Sequence, residues 1–217
     1  MARVDDYIHA ADMARKDLIT RDPDVLAGFA GADIQREQGH VQFSLGFLGE
    51  RIRISWPELV PIKEEDRMEV PIQQQVLLLH YLQGAWRSSG TPLTGEWIAF
   101  QDVPDGRFYL DAFQRRAKFP LLKAFGEQPE LMAELAREAY GAESIDFGDT
   151  AVSVSVLPRI RIALVLWAGD EEFPPEGNLL FDRSILSVFS AEDIAWVSGM
   201  VVYPLMGMAS ARTKIKS

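Results

Sequence analysis

Five carboxylates in the second half of the chain have the types and spacing that could do chemistry: Asp149, the run Asp170-Glu171-Glu172, and Asp182. Neighbouring carboxylates bind a hard divalent cation through oxygen, or hold one shared proton at a raised pKa. A tight cation site needs about six converging oxygens. In an extended loop Asp170 and Glu172 share a face while Glu171 points away, so with Asp182 they make at most a weak site that keeps several waters. No tight divalent-metal site is expected. The plainer reading is a solvated acidic loop, with Asp182 capping a turn by accepting a backbone N–H. Arg115 and Arg116 offer the complementary charge, either to anchor a carboxylate or phosphate or to pair with those acids across the fold. Trp97 supplies an aromatic wall beside the Gly95-Glu96 turn. The expected ligand-binding set is therefore Trp97, Arg115, Arg116, Asp149, Asp170, Glu172 and Asp182, around a pocket between the aromatic, the arginines and the acidic loop. No catalytic residue and no cofactor is assigned.

Other chemistries leave no signature. His9, His40 and His80 do not share the spacing of a helix-borne ligand pair. His80 stands among apolar helical neighbours and reads as a core histidine satisfied by one hydrogen bond. No nucleophile elbow, phosphate loop or dinucleotide fingerprint occurs. The absence of cysteine excludes disulfides, thiolate metal ligation and a cysteine nucleophile within this chain. Lys and Arg number 22 against 32 Asp and Glu, a net charge of −10, which disfavours nucleic acid and anionic lipid as general partners. The opening residues are too acidic, and lack the apolar run, for a secretory signal, so a cytoplasmic protein is expected.

The carboxylates need elements to position them. Val152, Val154 and Val156 alternate with serines, Pro158-Arg159 turns the chain, and Ile160, Ile162, Leu164 and Leu166 return with the same period of two, which predicts an antiparallel hairpin. The second of these strands is apolar on both faces, as a strand in mid-sheet would be. The pairing brings Asp149 and Asp170 to one end of the sheet, and prolines and Gly169 keep 168–175 irregular. Val41 to Phe47 and Ile52 to Trp56 predict another hairpin about Gly49-Glu50. Helices are predicted from Tyr7 to Leu18, from Pro23 to Gly31 with Asp22 as cap, over 71–87, over 111–118, and from Pro129 to Gly141. Trp97 to Phe100 reads as a short strand. Ser190 with Asp193 resembles a capping box opening a last helix, kinked or ended at Pro204. Ile194 to Ala211 carries no charge, but Gly199, Pro204, Gly207 and its polar residues favour a core helix over a membrane span.

The runs IQQQVLLLHYL, PLTGEWIAFQDVPDG, FQRRAKFPLLKAFG and GDTAVSVSVLPRIRIALVLWAGDEEFPPEGNLLFD together resemble the bacterial domain-of-unknown-function family numbered 3786. The resemblance covers most of the chain. Its elements are Gly95-Glu96-Trp97, Gly148-Asp149, Pro158, Trp167, Asp170-Glu171-Glu172-Phe173-Pro174 and Leu180-Phe181-Asp182, in that order. It implies relatives in anaerobic bacteria and archaea, some with an additional cysteine-rich iron–sulfur segment that this cysteine-free chain lacks.

The fold class expected is α+β: one domain over 1–217, with a largely antiparallel sheet of two hairpins packed against helices. The charged connection 57–67 is the best place for a boundary, and none is expected there. The leading functional expectation is a small-molecule or cofactor-binding module. The alternatives are a carboxylate- or metal-assisted enzyme and a protein-interaction module, with the oligomeric state open.

Overall fold

Alternation of apolar and polar residues through 41–56 builds the first of two sheets. In the computed structural model, which describes residues 4–37 and 39–216 with the backbone alone at 213, 215 and 216, β1 (Asp33–Glu37), β2 (His40–Phe47), β3 (Glu50–Trp56) and β4 (Pro61–Lys63) lie in that order. All three pairings are antiparallel. The register sets Phe43 opposite Ile54 and Leu45 opposite Ile52, all buried. Gln35, Gln42 and Ser55 form a row on the opposite, polar face.

This sheet belongs to a compact unit comprising Met1–Pro92, Leu157–Arg159 and Ser187–Phe189; Met1 to Arg3 of the acidic opening stretch lie outside the described residues. Its helices are α1 (Val4–Leu18), α2 (Pro23–Ala30) and α3 (Ile72–Arg87). Asp22 caps α2 by accepting from the N–H groups of Asp24 and Val25, and Gly31 closes it in the left-handed conformation. Helices α1 and α2 both pack on α3. Tyr81 on α3 donates to the Ala30 carbonyl at 2.6 Å, and burial pushes its phenol well above the ordinary range. Arg159 donates to the carbonyls of Phe29 and Gly28 beyond the reach of local sequence.

The second unit holds Leu93–Val156, Ile160–Leu186 and Ser190–Ser217. It opens with β5 (Trp97–Ala99), then α4 (Gly106–Phe113), a π-helical turn over Gln114–Lys118, α5 (Phe119–Phe125) and α6 (Pro129–Tyr140). After β6 (Glu143–Ser144) come β7 (Thr150–Leu157), β8 (Ile160–Trp167), β9 (Glu176–Asp182) and the long α7 (Ala191–Lys216). The sheet order is β5-β9-β8-β7-β6, so β8 is central, as its two apolar faces required. Helices α4, α5 and α6 and the π turn all pack on α7. Phe100 stacks on Phe113 with centroids 4.3 Å apart, and Phe181 meets both edge-on.

The fold is α+β, with two antiparallel sheets and helices. Segment 57–67 lies inside the first unit, so no boundary falls there, as expected, and Pro61 to Lys63 within it pairs with β3. Two expectations change. The two hairpins stand in different sheets, each widened by strands whose sequences carry little periodic signal. Helix α7 does not end at Pro204 but continues through it. Its N-terminus is the reciprocal box that Ser190 and Asp193 promised, each bonding the other's backbone N–H at 3.2 Å. By length and composition α7 could cross a membrane, while Ile194, Val197, Val201, Val202 and Leu205 are buried.

Candidate functional site

The carboxylates singled out in the sequence are mostly bound to the backbone around them. Asp149 accepts from the Ala168 N–H at 2.8 Å, and its own N–H donates to Leu166, which fixes it beside the loop at the end of β8. Asp170 accepts from the N–H groups of Glu172 and Phe173, both at 2.8 Å. Those two bonds, Phe173's first, hold its carboxyl below the ordinary range. Glu172 is exposed in the same loop. Asp149 and Asp170 thus share one end of the sheet, as the hairpin demanded.

Asp182 stands elsewhere. It pairs with Trp97 across β9 and β5, whereas the acidic loop enters β9 at Glu176. Six residues of strand separate these points, about 20 Å. Only 2 % of Asp182 is exposed. It accepts from the N–H groups of Thr94 (3.0 Å), Gly95 (2.7 Å) and Ser184 (2.9 Å), and from the Thr94 hydroxyl (3.0 Å). Burial pushes its pKa up, but bonds from Thr94, Ser184 and Gly95 outweigh that and leave the carboxyl lowered. This is the turn-capping role its position suggested, realised across 87 residues of chain.

The remaining predicted residues face local partners. Trp97 is half-buried against Ala151, Ala163 and Val165. Arg115 pairs with Asp111 one helical turn away at 2.5 Å, both exposed. Arg116 lies over the Trp196 ring at 4.8 Å, a cation–π contact within the second unit. The seven do not surround one pocket, because β9 carries the chain from the acidic loop to the far end of the sheet. Among the described residues no group of three or more His, Asp or Glu is arranged to hold a metal ion.

A concave site exists where the sequence drew no attention. A cleft of about 290 Å³ is lined by Gln35, Glu37, His40, Val41, Gln42, Ser55, Trp56 and Glu58, all in the first unit. Gln35, Gln42 and Ser55 come from one cross-strand row, and Glu37 faces His40 in the next. Trp56, tilted against Phe43 at 5.7 Å, gives the cleft an aromatic surface anchored in the core. The amides and hydroxyl can donate and accept, and the rim carboxylates only accept when ionised. The available signal was the run of polar residues at every second position, 33, 35, 37 and then 40, 42, 44. With one apolar residue, Ile34, β1 lacks the alternation that marks a strand.

No curated protein and no solved structure matches this sequence. A family model described as a domain of unknown function, DUF3786, matches residues 22–203. That span includes both sheets, the cleft and the acidic loop, and the chain belongs to the DUF3786 family.

Proposed function

We propose that this protein is a binding module for a small polar molecule, held in the cleft between Gln42, Ser55 and Trp56. The observation that carries this reading is the combination of concavity, a row of amide and hydroxyl groups, and an aromatic wall fixed by core packing. Its volume equals that of about ten liquid waters, which suits a ligand of about ten non-hydrogen atoms. The test is native mass spectrometry of protein purified gently from its own host, alongside Gln42→Trp, which fills the cleft while keeping a strand-compatible residue. A small adduct is expected on the wild type and absent from the variant. Equal retention by both would place the ligand elsewhere.

One observation favours a second reading, docking of a basic protein segment. Phe147, Trp167 and Phe173 are 40 %, 38 % and 68 % exposed, at the same end of the second sheet as Asp149 and Asp170. Exposed aromatics beside carboxylates suit lysine and arginine side chains. A fluorescent oligolysine peptide should then bind at low salt and lose affinity in Phe173→Ala. Unchanged affinity in that variant would count against the docking reading.

A further inference from the structure

Arg53 has a donor edge with no acceptor among the described residues: its Nε and Nη2 are both buried and without a hydrogen-bond partner there. The residue stands in mid-sheet, between Ser44 on β2 and Ile62 on β4. A guanidinium keeps its charge at any ordinary pH, so unsatisfied buried donors are expensive and call for an explanation. Ser55 lies two residues further along β3 on the same face, and Gln42, opposite Ser55, is the diagonal neighbour of Arg53. Both line the cleft.

The chemistry of that edge is specific. Nε and Nη2 together form the side-on fork that matches the two oxygens of a carboxylate. The same protein uses this pairing elsewhere: Arg183 holds Glu96 with Nε and Nη2, both at 2.7 Å. Shielding from water strengthens such a pair over its solvent-exposed counterpart.

We infer that the cleft takes a small organic carboxylate, with its two oxygens on Nε and Nη2 of Arg53 and its body along Ser55 and Gln42 on the same face of the sheet. This rests on the cleft being the binding site. Both nitrogens are closed to solvent, so admitting the carboxylate takes a rotamer change in the side chains over them, within ordinary rotamer freedom. Glu37 and Glu58 at the rim repel a second anionic group and favour N–H or O–H donors at the ligand's far end.

The probe is 4-aminobenzoate, compared with its neutral isostere 4-aminobenzamide, each titrated into the full chain and followed by amide NMR. The benzoate is expected to shift Gln42 and Ser55 and to bind about tenfold tighter than the amide, as a charge-assisted bidentate contact should. Arg53→Met is expected to abolish that preference and, without ligand, to melt no lower than the wild type, because it removes an unpaired buried charge. Arg53→Lys keeps the charge without the fork and should lose most of the preference as well. Equal binding of the two probes at Gln42 and Ser55 would overturn the carboxylate reading and leave the cleft standing. A preference that survives in Arg53→Met would overturn Arg53 as the anchor. If neither probe shifts these residues, the carboxylate reading falls, and the Gln42→Trp comparison decides the cleft independently.

Discussion

Asp182 shows how much of the second unit's architecture one carboxylate can hold. Three of its four bonds, from Thr94 and Gly95, tie the turn before β5 to the end of β9, joining segments far apart in sequence, and the fourth, from Ser184, is local. Asp182→Asn keeps the shape but replaces an acceptor oxygen by a donor facing backbone N–H groups. Hydrogen bonds to charged groups contribute about 1.5–3 kcal/mol each, and a loss of about 2–4 kcal/mol is expected by denaturant titration. The folded carboxyl sits below its ordinary pKa. Its contribution is therefore fully present above the unfolded value of about 4 and is lost as pH falls through the lower folded value. Stability of the variant should depend less steeply on pH below about 4. The same slope in variant and wild type would remove Asp182 as the source.

At the scale of elements, the strongest periodicities were legible and the weak ones were not. Val152 to Val156 alternates with serines and β8 runs apolar on both faces, which is legible because that hairpin is buried along most of its length. Leu164→Ala in central β8 should cost about 2–5 kcal/mol, and a loss under about half a kcal/mol in denaturant would contradict its burial. Strand β9 was hidden because Gly177 and Asn178 interrupt it straight after the prolines, and it holds its place by pairing with β8 and β5. Missing that strand is what drew Trp97, Asp182 and the acidic loop together in the sequence reading. Close packing was equally invisible. A Cβ on Gly84 of α3 would lie 2.2 Å from the Val188 carbonyl oxygen and 2.7 Å from its Cα. Alanine improves helix propensity by about 1 kcal/mol, but a backbone clash costs about 1–3 kcal/mol and cannot be relieved by a rotamer change. Gly84→Ala is expected to lower the melting temperature, and an increase would show that α3 can shift.

For the whole molecule, the acidic balance and cysteine count bounded what the protein could do, while long-range closure decided how its units are made. The first unit is not one continuous piece of chain: Leu157–Arg159 and Ser187–Phe189 belong to it. They bring Arg159 to the α2 carbonyls and Phe189 beside Tyr81. A fragment ending at Pro92 lacks both, and its amide spectrum should be poorly dispersed, with no cooperative melt. A cooperative melt would show that α1 to α3 and the first sheet suffice. The cleft is formed by β1 to β3 and the Glu58 segment, at positions whose polar residues recur every second place without the apolar alternation in β1 that marks a strand.

The central claim, that ligand binding belongs to this cleft, is tested most directly by mapping amide NMR shifts of the full chain against a library of small polar molecules. The account predicts that binders perturb Gln35, Gln42, Ser55 and Trp56 together, and that Gln42→Trp abolishes the response. Perturbations centred on Trp97 and Asp182, or on the 168–175 loop, with 35–58 silent, would contradict it.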